Sequence, residues 1–111
     1  MRISHEDHGN TALVALAGDF LAENTEIYNR SITERFEAGI TNIVLDVTGL
    51  ESIDSGGLEA FLWTADESVA RSGRMKLVGA GGMVAEVLRI TRLSRRFDME
   101  QTVESAARSL R

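Results

Sequence analysis

The sequence predicts an α/β fold in one domain over residues 1–111, a mixed β-sheet of four to five strands packed with about four helices. Short β-branched runs alternate with stretches whose apolar residues recur at helical spacing, and strands that alternate with helices pair in parallel through right-handed crossovers. Glycine is the only strong punctuation, because the chain has 10 glycines and no proline. The opening differs: two β-compatible runs flank Gly9-Asn10, the pattern of an antiparallel hairpin.

In order, residues 3–7 read as a short edge strand, and Thr11-Ala12-Leu13-Val14-Ala15-Leu16-Ala17 as its hairpin partner. From Asn24 or Thr25, either of which can cap, Ile27, Tyr28, Ile32 and Phe36 form a helical stripe that stops at Gly39. Ile43-Val44-Leu45-Asp46-Val47 is the kind of run that lies in the middle of a sheet. After a connection at residues 49–52, Leu58, Phe61, Leu62, Ala65 and Val69 mark an amphipathic helix closed by Gly73. Met75-Lys76-Leu77-Val78 is a further strand, and Val84, Val87, Leu88 and Thr91 form a third helix face. Phe97-Asp98-Met99 is a small strand, and Val103, Ala106, Ala107 and Leu110 mark a terminal helix. The expected core is Leu13, Leu16, Val44, Leu45, Leu58, Phe61, Leu62, Leu77, Val87 and Leu88.

Composition narrows the function. With 43% apolar and 26% charged residues the chain is globular. No apolar stretch approaches membrane-spanning length, and Met1-Arg2-Ile3-Ser4-His5-Glu6-Asp7 is charged where a signal peptide is apolar, so a cytoplasmic protein without membrane attachment is expected. The absence of cysteine excludes disulfides, thiolate catalysis and cysteine-based metal sites. His5 and His8 lie in an Asp/Gly/Asn-rich run and read as a solvated turn rather than a metal or catalytic pair. The formal charge of −5 divides unevenly: residues 1–67 carry 13 acidic side chains against three arginines, whereas residues 68–111 are net basic. The acidic balance argues against direct nucleic-acid binding, with Arg89, Arg92, Arg95 and Arg96 read as a solvated helix end, and it favours a basic protein partner.

The segment Ile53-Asp54-Ser55-Gly56-Gly57-Leu58 joins the expected central strand to the second helix. Ser55 falls at or just before the helix start, where backbone N–H groups lack partners and the macrodipole favours negative charge. Asp or Ser there is also an ordinary cap. The two glycines are expected to leave the hydroxyl uncrowded and to let another molecule's backbone come close. A serine hydrolase fits badly, since Ile53 occupies the first glycine position of a nucleophile elbow and neither histidine is suitably placed. Asp46 as a phosphorelay acceptor lacks the acidic pair and the lysine that go with one. Gly79-Ala80-Gly81-Gly82-Met83-Val84 with Asp98 mimics a dinucleotide fingerprint, but Val84 replaces its third glycine and a plain strand-to-helix turn is the simpler reading. Trp63, one step off the apolar stripe, is either a core-margin residue or an exposed contact.

The run Ile43-Val44-Leu45-Asp46-Val47-Thr48-Gly49-Leu50-Glu51-Ser52-Ile53-Asp54-Ser55-Gly56-Gly57-Leu58 resembles the signature of the STAS domain family, in particular its bacterial anti-sigma factor antagonists. Its most specific part is the Asp-Ser-x-Gly-Leu element, and the resemblance extends over nearly the whole chain. It implies a STAS-like domain acting as a switch without catalysis or cofactor of its own. Ser55 matches the serine that a partner anti-sigma factor, itself a serine-protein kinase, phosphorylates; the unphosphorylated antagonist binds that kinase and frees a sigma factor, and a phosphatase of the PP2C type restores it. The partner-binding surface implied comprises Asp19, Leu21, Glu23, Asp54, Ser55, Gly56, Gly57, Leu58 and Glu59, with the carboxylates as an acidic rim around the hydroxyl. One departure stands out. Where many such antagonists read Gly-Glu-Leu-Asp, this chain has Gly18-Asp19-Phe20-Leu21, and Glu23 is the nearest substitute for the missing carboxylate. The resemblance also allows a STAS scaffold or ligand-binding module of a larger regulatory or transport assembly that is never phosphorylated.

Overall fold

The computed structural model describes residues 1–110. Five strands and four helices follow in the order β1 (Arg2–His8), β2 (Thr11–Phe20), α1 (Thr25–Glu37), β3 (Asn42–Ile53), α2 (Ser55–Ala70), β4 (Met75–Val78), α3 (Gly82–Ile90), β5 (Asp98–Glu100) and α4 (Val103–Ser109), with short 3₁₀ turns at Ala22–Asn24 and Leu93–Arg95. The sheet order is β1-β2-β3-β4-β5; β1 is antiparallel to β2 and the other neighbours are parallel. Each crossover steps to the next strand in the same direction, so right-handedness sends α1, α2 and α3 to one face. Only α4 is left for the other. The core divides accordingly: Tyr28, Ile32, Phe36, Phe61, Val84 and Leu88 pack with Val14, Leu16, Leu45 and Leu77 on the main face. Ala106 covers Val44 and Val78 on the opposite one. Among the described residues no helix is long and apolar enough to cross a membrane.

β3 is much longer than the run at residues 43–47 predicts. It continues through the expected connection at 49–52 and stays paired with the end of β2, across register shifts between Ala15 and Ala17 and between Gly18 and Asp19. The extension is held by Leu50 and Ile53, which enter the core, and the irregular pairing absorbs the mismatch between the two strands. Of the expected core, Leu13, Leu62 and Val87 are only half-buried, and the others are buried.

The buried face of α2 also differs from the apolar stripe. Val69 is 68% exposed, whereas Thr64 and Ser68 are fully buried. Both hydroxyls are satisfied within the helix, Thr64 Oγ1 donating to the Ala60 carbonyl at 2.8 Å and Ser68 Oγ to that of Thr64 at 2.9 Å. Small polar residues can therefore occupy a core face that their polarity conceals in the sequence. In α1, Ile27 is likewise exposed and the inward residues are Tyr28, Ile32 and Phe36. Tyr28 joins a chain of aromatic contacts with Phe20 (4.8 Å between centroids) and Phe61 (6.2 Å), and Phe61 continues to Phe97 (6.2 Å).

The Tyr28 hydroxyl lies 2.6 Å from Thr64 Oγ1. Because the Thr64 proton is directed to Ala60, Tyr28 is the donor of this bond. Burial pushes the Tyr28 hydroxyl well above its ordinary pKa, so it remains a protonated donor. The two ends of the bond should therefore respond unequally to mutation. Thr64→Val strands a buried donor and is expected to cost about 1–3 kcal/mol, while Tyr28→Phe removes the donor itself and costs about 0.5–1.5 kcal/mol. Urea unfolding of the two variants measures the difference; equal losses would show that Tyr28 is not the donor.

Candidate functional site

The site forms where β3 ends and α2 begins, at the carboxyl edge of the central strands. Ser55 is the first residue of α2 and is exposed. Asp54 precedes it in extended conformation and caps the helix, its Oδ1 accepting from the Gly57 amide at 3.1 Å. Its other oxygen, Oδ2, accepts from the Ala22 amide at 2.9 Å, in the loop between β2 and α1. A third link is the Asp54 amide, which donates to the Phe20 carbonyl at 3.2 Å. One side chain thus joins the start of α2 to a loop 32 residues earlier.

The hydrogen bond from the Ala22 amide, followed by that from Gly57, holds the Asp54 carboxyl below its ordinary pKa. The stability contributed by the ionised group is accordingly present above the ordinary carboxylate value and is lost as pH falls through the lowered native one. Asparagine at this position still caps, so Asp54→Asn should fold, and its stability should decline less than that of the wild type on acidification. Unfolding midpoints across a pH series test this; parallel curves would show that the carboxylate charge is not used.

The two glycines have a different role from the one expected. A Cβ on Gly56 would lie 2.6 Å from Ala22 Cα, and one on Gly57 would lie 2.7 Å from both the Phe20 carbonyl oxygen and Ile53 Cγ1. The space beside them is filled by the protein's own β2–α1 loop, not held open for another molecule. Gly57 and Leu58 are also buried, so the part of the expected surface that faces outward is Asp19, Glu23, Ser55 and Glu59, with Leu21, Asp54 and Gly56 half-buried among them.

Asp19 Oδ1 accepts from Ser52 Oγ at 2.6 Å, binding the end of β2 to β3. At Leu21 no carboxylate is available to cap the 3₁₀ turn, and the turn is closed from its other end: the Leu21 amide donates to Asn24 Oδ1 at 3.0 Å, and the Asn24 amide to the Leu21 carbonyl at 2.8 Å. Asn24 and Ala22 therefore shape this loop, and neither was singled out in the sequence beyond Asn24 as a helix cap. That capping role passes to Asn24 only in the 3₁₀ turn, since its side chain does not cap α1.

The chemistry available is that of an exposed hydroxyl at a helix start, beside a carboxylate whose oxygens are committed to backbone amides. The histidines lie elsewhere. His5 is level with Val14 and His8 with Thr11, which in turn pairs with Asn42 at the opposite end of β3; they face Asp7 and Glu6. The turn at residues 79–82 is also accounted for by packing, since Gly79 has φ +77° and a Cβ there would lie 2.0 Å from Thr48 Oγ1. Trp63 is half-buried against the main core.

Comparison with solved structures shows the same fold in proteins of low sequence identity. A candidate anti-sigma factor antagonist from Thermotoga maritima superposes with a TM-score of 0.89 at 20% identity, covering 97% of this chain and 93% of that one. An anti-sigma factor antagonist from Mycobacterium paratuberculosis gives 0.86 at 19% identity over 98% and 92%. The phosphorylated form of the Bacillus cell fate determinant SpoIIAA gives 0.76 at 22% identity over 99% and 100%. Comparison with curated proteins returns no match. The STAS domain family model matches residues 2–106, which is nearly the whole chain from β1 into α4, and the protein belongs to the STAS domain family.

Proposed function

We propose that this protein is an anti-sigma factor antagonist that works as a phosphorylation-controlled partner switch in the cytoplasm. In its unphosphorylated form it binds an anti-sigma factor that is also a serine-protein kinase, and so releases a sigma factor; phosphorylation of Ser55 ends the binding, and a phosphatase of the PP2C type reverses it. The protein itself carries out no catalysis. The observation that carries this reading is the exposed Ser55 hydroxyl at the first position of α2, where a kinase can reach it without unfolding anything.

A phosphate there adds about −1.5 to −2 charges and three acceptor oxygens. It would sit beside the Asp54 carboxylate and one helical turn from Glu59, so a partner that docks over the hydroxyl would have to desolvate a doubly charged group among other anions. In the free protein the same phosphate stays in water at a helix N-terminus, whose dipole favours it. Modification therefore penalises the complex far more than the free antagonist. The test is affinity capture from the protein's own host, with immobilised wild type beside Ser55→Asp. A kinase of the anti-sigma type is expected on the wild type and depleted from the variant. Equal retention of it on both, or its absence from both, would favour the unphosphorylated STAS scaffold.

A further inference from the structure

Beside Ser55 the two helices α1 and α2 do not close completely. They leave a cleft of about 350 Å³ lined by Ala22, Thr25, Asn29, Glu59, Ala60 and Trp63, with Gly56 at the end next to Ser55. Its walls combine three unlike features. Trp63, the only tryptophan of the chain, is half-buried and contributes an apolar aromatic wall together with the methyl groups of Ala22 and Ala60. Glu59 is an exposed carboxylate, on the half of the sequence with the large acidic excess. Asn29 has its Oδ1 buried with no hydrogen-bond partner among the described residues, so none of their donors fixes the carboxamide, and it can turn its oxygen to a donor that enters the cleft.

We propose that this cleft receives an arginine side chain of the protein that docks at Ser55. The proposal rests on the reading of the Ser55 surface as a partner-binding surface, with which the cleft is continuous. A guanidinium meets all three walls at once: its planar face stacks on the indole, its permanent charge pairs with Glu59, and its several N–H groups include one for the Asn29 oxygen. An ammonium lacks the planar face and the fork of donors, and an aliphatic side chain leaves both Glu59 and Asn29 without a partner.

The sole tryptophan supplies the readout, since Trp63 fluorescence and the Trp63 and Asn29 side-chain NMR signals report on the cleft alone. The full chain is titrated with the blocked tripeptide Gly-Arg-Gly and with its lysine and leucine counterparts. The arginine peptide is expected to saturate both signals at about millimolar concentration, and the other two are expected to bind at least several-fold more weakly. Asn29→Leu and Glu59→Gln should each weaken the arginine peptide by about three- to tenfold. Asn29→Leu should be no less stable than the wild type, because it removes an unpartnered buried atom. Lysine or leucine peptides that bind as well as arginine, or an Asn29→Leu protein that loses stability but keeps full binding, would overturn the proposal. The titration contains no kinase: a cleft that binds arginine in a protein whose Ser55 is never phosphorylated would sustain this inference and remove the switch, whereas a cleft that ignores arginine fails whatever happens at Ser55.

Discussion

Ser55→Ala is expected to fold as the wild type does and to incorporate no phosphate at all when incubated with its kinase and ATP. Folding should be unaffected because the side chain is exposed at the first helical position and the cap is supplied by Asp54, and the loss should be complete because the acceptor hydroxyl is gone. The same variant should keep its affinity for the unmodified partner. Ser55→Asp, by contrast, should weaken binding by about 2 kcal/mol or more, roughly thirtyfold, since a buried interfacial charge without a counterion costs at least that much. Mass spectrometry of the intact protein and titration of the purified partner provide the two measurements. Phosphate on Ser52 or Thr48 would reassign the site, and equal affinities for wild type, Ala and Asp variants would remove the switch.

The largest effect on stability is expected at the junction beneath that serine. A methyl group on Gly57 meets a backbone carbonyl and the Ile53 side chain, both at 2.7 Å, in a fully buried setting. Neither neighbour can yield without moving β2 or β3, so Gly57→Ala should cost about 1–3 kcal/mol or more. That is a substantial share of the roughly 5–15 kcal/mol typical of a folded domain. At Gly56 the clash is with Ala22 in a loop, and Gly56→Ala should cost less stability. It should nevertheless displace the 3₁₀ turn that carries Glu23, and so weaken partner binding without touching a charged group. Gly81→Ala is the control, since a Cβ there has no heavy atom within 4 Å. Urea midpoints for the three variants should separate clearly; a neutral Gly57→Ala would mean that the strand ends are loosely packed.

What could be read directly from the sequence was local. The alternation of strand and helix patterns, the hairpin at Gly9-Asn10 and the helix start at Asp54-Ser55 depend on spacing, turn chemistry and capping within a few residues, and each lies where the pattern places it. The all-parallel arrangement after the hairpin follows because short helical connections leave little alternative. What the tertiary structure alone decided was non-local. β3 extends to Ile53 because the end of β2 is there to pair with it. Thr64 and Ser68 are buried because α1 and the sheet pack against that side of α2, a face that helical periodicity cannot identify when its residues are small and polar. The glycines after Ser55 are required by the approach of Ala22, and the Asp54 carboxylate ties that loop in place. The cleft at Trp63 exists only because two helices, distant in sequence, meet imperfectly beside Ser55. Capping and periodicity are properties of neighbouring residues, whereas close approach and burial depend on which distant segments the fold brings together, and no single stretch of sequence contains that information.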